Sequence, residues 1–272
     1  MRTQFPRSAR AGAVAFAAMF FVLPGSRGAM ADPAACGGTA MEAKVMEVTE
    51  SGTLRLADGR EVRLASMAGP NVLDGDSEAA AQTVALLRQL AEGKTVRVFT
   101  DAKDRDRYGR IVARAVLIGE GAWLEPMLIE QGVMRVAISG NAACIAALLA
   151  VERKARDEKR GLWAREKFRV FDAADHAALN REIGRFVVVE GTIRRVGDTR
   201  ARLYLDFGRR YTEDFSIIVP AAFRSELAKI GGDPKNWRGR RVRVRGILVA
   251  WGGPAIEVNA AQAVEMLESA ER

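Results

Sequence analysis

Two kinds of hydrophobic pattern alternate along this chain. Between residues 43 and 65, apolar positions recur every second residue: Leu54 and Leu56 flank Arg55, and Val62 and Leu64 flank Arg63. Asp58-Gly59 lies between the two runs. Period-two alternation on both sides of Asp-Gly predicts a β-hairpin, because glycine accepts the positive φ of a tight turn. Residues 71–77 read as a turn. Residues 78–92, rich in Ala, Leu, Glu and Gln, predict a helix ended by Gly93. Strands are predicted at 95–100 and 111–118, either side of an Asp/Arg-rich turn. A short helix is predicted at 123–131. From 142 to 160, Cys144, Leu148, Val151 and Ala155 share one face at helical spacing, up to Gly161.

Residues 165–180 are polar and read as a linker. Beyond them the two-residue period returns. Strands are predicted at 185–195, 202–207 and 215–220, a short helix at 220–230, and strands at 240–251 and 255–258 around Gly252-Gly253. A β-β-β-α-β-β order matches a small five-stranded barrel of the OB type. The expected fold class is therefore α+β, mainly β with helices. The expected organisation is a leader at 1–31, a short segment at 32–42, a first barrel domain at 43–164, a linker at 165–180 and a second OB-like domain at 181–272.

The leader departs from both patterns. Arg2, Arg7 and Arg10 precede the apolar run 11–24, and Ala29-Met30-Ala31 follows. A basic start, a short apolar run and a small-x-small site define a secretory signal peptide. The run is shorter than the ~20 residues needed to span a bilayer. The expectation is export to the periplasm or medium, with the mature chain starting at Asp32. Export alters the meaning of Cys36 and Cys144, the only cysteines: an oxidising compartment favours pairing them.

Composition narrows the chemistry. With 28% charged residues mixed among 49% hydrophobic ones, the chain is not a low-complexity or disordered one. Two cysteines and one histidine exclude a Cys/His zinc cluster. A Ser-His-Asp enzyme would have only His176. The formal charge of +8 points to a polyanionic partner, but four arginines of the leader account for half of it. The remainder is uneven. Residues 32–179 hold 21 basic and 22 acidic residues, residues 180–272 hold 17 and 12. In the second unit Arg241, Arg243 and Arg245 alternate with Val242 and Val244 and so share one strand face. Arg194, Arg195, Arg209 and Arg210 add charge, and Tyr204, Phe207, Tyr211 and Phe215 lie between them. A basic face with aromatics on an OB-type barrel predicts a platform for single-stranded nucleic acid or another polyanion.

The stretches GTLRLADGREVRLASMAGP at 52–70, DRYGR at 106–110, LIEQGVMRVA at 128–137 and EKRGLW at 158–163 occur in one order. In these residues the first half resembles the thermonuclease, or staphylococcal nuclease-like, family, over about residues 43–164. The resemblance implies an OB-type barrel with helices that hydrolyses DNA and RNA phosphodiesters using calcium. It places Arg63 and Arg110 as phosphate-binding arginines, with Arg107 and Tyr108 at positions contacting a terminal phosphate. Two arginines suit that role, because guanidinium pairs bidentately with phosphate.

The family's acids are missing. Its first strand opens Asp-Gly-Asp-Thr, where this chain reads Glu50-Ser51-Gly52-Thr53. Its Asp-x-Pro-Glu segment is Ala68-Gly69-Pro70-Asn71 here. The two calcium-binding aspartates are thus Gly52 and Ala68, and the glutamate that acts on water is Asn71. Ile138 replaces a base-stacking tyrosine. Asp74, Asp76 and the Asp101–Asp106 run are weak substitutes, Asp76 or Ser77 being the expected cap of the following helix. The expectation is a protein without a bound calcium cofactor, binding nucleic acid or phosphate rather than cleaving it efficiently. The alternative is an active phosphodiesterase with rearranged acids.

Overall fold

The computed structural model describes residues 36–70, 76–100, 105–210 and 212–268. The leader, Asn71, Asp74, Asp101, Asp104 and Tyr211 lie outside the described residues. The described residues form one compact unit.

The first half supplies β1 (Thr39–Val48), β2 (Leu54–Leu56), β3 (Glu61–Leu64), β4 (Met67–Ala68), α1 (Ser77–Ala91), β5 (Thr95–Thr100), β6 (Ile111–Leu117), β7 (Ala122–Trp123), α2 (Leu124–Glu130), β8 (Arg135–Val136) and α3 (Ala142–Asp157). β1 pairs with β2 and β5, β2 with β3, and β5 with β6, all antiparallel. A parallel β3–β6 pairing closes these five strands into a barrel. The alternation seen in the sequence is what fills it: Leu54, Leu56, Val62 and Leu64 are buried, while Arg55 and Arg63 face outward. Leu87, Leu124, Leu128, Ile145 and Leu148 bring the helices onto the same core. Asp76 caps α1, accepting the Ala79 amide at 2.9 Å, as the sequence predicts.

Residues 165–180 are not a linker. They carry a short 3-10 turn, β9 (Val170–Asp172) and the start of α4 (His176–Arg181). β9 adds in parallel to β10 (Phe186–Thr192), because Phe171, Ala173, Ala178 and Leu179 are buried in the second core. Four apolar residues spaced along a polar stretch are enough to dock it.

The second half continues with β11 (Arg195–Asp198), β12 (Arg202–Asp206), β13 (Ser216–Pro220), α5 (Arg224–Gly231), β14 (Arg241–Ile247), β15 (Val249–Trp251), β16 (Gly253–Glu257) and β17 (Val264–Leu267). One sheet runs β11-β12-β13-β16-β15, the other β17-β14-β10-β9. Two residues separate β10 from β11, and Leu248 alone separates β14 from β15. Each pair is therefore one long bent strand passing from sheet to sheet, which gives the pairing order of an OB-type barrel. The bend demands Gly246: a Cβ there would lie 2.7 Å from Ile256 Cγ2. β17, which the sequence reading lacks, covers the outer edge of β14.

The only two cysteines are joined. Cys36 and Cys144 form a disulfide with Cα atoms 5.9 Å apart, tying the chain just before β1 to α3 across 108 residues. Among the described residues no helix is long and apolar enough to cross a membrane.

Candidate phosphate-binding groove

The β3–β6 pairing sets the site. Arg63 leaves β3 between the buried Val62 and Leu64 and pairs in register with Val112, while Arg110 immediately precedes β6. Strand register thus places at one barrel rim two arginines 47 positions apart in the chain. Both line one groove of about 1160 Å³, together with Tyr108, Gly52 and Ala68.

The two guanidinium groups differ. Arg63 makes no ion pair with any described residue. Arg110 is held by Asp106, its Nε donating to Oδ2 at 2.7 Å. Asp106 also accepts the backbone amides of Tyr108 and Arg110, at 2.9 and 3.1 Å. Burial works against ionisation of Asp106, but the Arg110 guanidinium and these amides outweigh it and hold the carboxyl below its ordinary pKa. The Asp/Arg-rich turn is therefore a scaffold that fixes Arg110. Arg107 and Arg110 lie over the Tyr108 ring, 4.9 and 5.1 Å from its centroid, and Tyr108 is exposed. This turn brings Arg107, Tyr108 and Arg110 together.

Calcium does not fit here. Gly52 and Ala68 offer no side-chain oxygen to the groove. Gly52 adopts φ +73° and a Cβ built on it would meet nothing within 4 Å, so the position is open space. Glu50 lines the groove but is exposed and paired with Arg88 at 2.5 Å. Asp76 is committed to its cap and to Arg165 at 3.1 Å. Among the described residues, no cluster of three His, Cys, Asp or Glu side chains can hold a metal ion. Calcium prefers six to eight oxygens, including several carboxylates.

The second predicted site, the arginine face of β14, is corrected. The alternation is real, with Val242 and Val244 buried in the barrel. The arginines, however, are neutralised. Glu190 on β10 lies opposite Arg243 and pairs with it at 2.7 Å and with Arg241. Glu265 on β17 pairs with Arg243 at 3.3 Å and Arg245 at 2.6 Å. Arg245 is fully buried and meets Glu152 of α3 at 2.5 Å. Burial opposes its charge, but Glu152 and Glu265 outweigh that and raise its pKa above the ordinary value. On this face Arg243 and Arg245 are committed to carboxylates and Arg245 forms part of the seam between the barrels, while Arg241 stays exposed beside Glu190. Phe207 and Phe215 are likewise core residues, their rings 5.1 Å apart. His176 opens α4 beside Asp214, with Nε2–Oδ1 at 3.2 Å.

The sequence reading missed the far wall of the groove. Phe186, Ile247 and Val249 of the second barrel line the same space as Arg63. Ile247 and Val249 are exposed apolar residues where β14 passes into β15. Their even spacing signals a shared strand face, but only the docking of the two barrels turns that face toward the arginines.

Residues 63–165 match the family of staphylococcal nuclease homologues, and the chain contains a domain of that family. The match covers most of the stretch expected from the motifs but begins at Arg63. β1, β2 and the turn between them that carries Gly52 precede it, and the structure supplies their place in the barrel. No curated protein matches the chain. A domain of this family points to a nuclease-like or nucleic-acid-binding function.

Proposed function

We propose that this is an exported phosphate-binding protein on a nuclease-type barrel, with the calcium-dependent hydrolytic chemistry lost. Arg63 and Arg110 hold the phosphate of a nucleic acid or another phosphate ester. Gly52, Ala68 and Asn71 stand where the family has its metal ligands and its water-directed glutamate. The observation that carries the reading is a groove presenting two arginines while its described lining acids stand apart, Glu50 paired with Arg88 and Glu257 on the second-barrel side, with no cluster of three among the described residues. A phosphodiester bound there meets charge complementarity but no oxygen cage for a dication and no base for water, and each such loss costs orders of magnitude in rate. The leader composition and the Cys36–Cys144 disulfide support export.

The test is incubation of the mature protein with single-stranded DNA and RNA, in calcium and in chelator. The expected result is no calcium-dependent cleavage above that of the Arg63→Ala, Arg110→Ala double variant. In parallel, the double variant should bind a phosphate-bearing ligand at least roughly tenfold more weakly, the loss expected for charge-assisted hydrogen bonds. Calcium-dependent cleavage that requires both arginines would establish the phosphodiesterase reading instead.

A further inference from the structure

We propose that the groove takes a phosphate ester with an aliphatic body. On this view the phosphate rests on Arg63 and Arg110 and the apolar body runs along a wall completed by the second barrel. The proposal rests on the phosphate reading of those two arginines and adds the chemistry of the rest of the ligand.

Three observations point this way. First, the positive charge of the groove does not repeat. Beyond the two arginines and the adjoining turn, the further cation in the lining is Arg245, already committed to Glu152 and Glu265. Glu257 lines the second-barrel side and adds negative charge. A nucleic-acid strand carries one phosphate per nucleotide and needs cations along its length. A ligand with one phosphate needs them at one end.

Second, the wall between is mostly aliphatic, with Phe186 its aromatic member. Leu64, Met67, Met134 and Ile138 line it from the first barrel, and Ile247 and Val249 from the second. Bases are held by aromatic stacking and by edge hydrogen bonds. Here the aromatic residues of the lining are already covered by guanidinium groups, Tyr108 by Arg107 and Arg110 and Phe186 by Arg135, and Ile138 stands where the resembled family has a stacking tyrosine. Methylene groups, by contrast, gain from any aliphatic wall in proportion to the area covered.

Third, Ile247 and Val249 are 53% and 37% exposed beside this groove, although neighbouring β14 residues are buried. Apolar residues gathered at a concave site mark a binding surface.

The experiment is calorimetric titration of the mature protein with inorganic phosphate, then butyl, hexyl and octyl phosphate below their micelle concentrations, and a dinucleotide and a hexanucleotide. Affinity should rise by up to about three- to fourfold per methylene that reaches the wall. In Ile247→Asp and Val249→Asp, whose exposed positions leave folding intact by melting temperature, the ratio of octyl to inorganic phosphate affinity should collapse toward one. A flat alkyl series in the native protein overturns the proposal, as does a slope indifferent to both variants. Tighter binding of the hexanucleotide than of octyl phosphate, rising with strand length, also overturns it in favour of a nucleic-acid strand. Failure of the underlying reading looks different: alkyl phosphates would then bind with the predicted slope in Arg63→Ala and Arg110→Ala as tightly as in the native protein.

Discussion

Glu125 shows how far one residue can depart from its appearance in sequence. In Leu124-Glu125-Pro126 it reads as an acid in the first turn of a helix, a favourable and solvated place. In the structure it is fully buried against β6, with both carboxylate oxygens 3.3 Å from the Ala115 amide. Burial raises its pKa from 4.5 to about 8, the backbone amides recovering only part of the cost of the charge. Between those values the folded protein holds a proton that the unfolded chain has released. Its contribution to stability is therefore fully present below pH 4.5 and is lost as the pH rises through 8. Glu125→Gln should flatten this dependence. At pH 9 the variant should be more stable than the native protein by a few kcal/mol, with about 5 kcal/mol as the upper bound set by the shift. Denaturant melts from pH 4 to 9 check it; parallel curves for the two proteins would refute it.

The elements follow the hydrophobic period closely, and they fail where the period is silent. β2, β3, β5, β6 and β14 were legible because one face of each is buried and a side-chain period of two records that. β9, β4, β8 and β17 were not: they are as short as β2 and β3 but lack a second alternating run across a turn signal such as Asp58-Gly59. β14 makes the limit concrete: its alternation tells which side faces the barrel but not what covers the other side. Glu190 and Glu265 cover it, and their pairing with the arginines depends on strand register and on β17, which sequence reading did not place. The disulfide also acts at this scale, holding the chain before β1 against α3. Closing a loop of 108 residues lowers the entropy of the unfolded chain, a stabilisation of about 4–5 kcal/mol in the loop-entropy account. Reduction, or Cys36→Ser with Cys144→Ser, should lower the melting temperature by many degrees while a native-like circular dichroism spectrum persists at 20 °C. An unchanged melting temperature would show that the crosslink does not bear on stability.

At the scale of the molecule, the two barrels are joined through a buried ionic seam. Glu152 of α3 accepts the Val136 amide at 2.6 Å and Arg245 at 2.5 Å, so one carboxylate links the β8 edge to the second barrel. Arg135 lies between the Phe168 and Phe186 rings, 5.1 Å from each centroid, and donates to the Phe186 carbonyl. Removing one partner of such a pair strands the other charge in a dry site. Arg245→Met should therefore destabilise by on the order of 3–5 kcal/mol, and adding Glu152→Gln should recover much of that loss. Urea titration of the single and double variants decides it; additive losses would mean the pair is not coupled. The sequence by itself determined the two barrel patterns and favoured the pairing of the only two cysteines, because these depend on period and count; the roles of Arg63 and Arg110 and the missing carboxylates are what the family resemblance implies. The tertiary structure alone decided that the arginines of the most basic strand are paired with carboxylates and that Arg245 among them is interior. It also showed that the phosphate groove continues onto the second barrel. Both depend on which surfaces meet, and an alternating strand carries no record of what its outward face will touch.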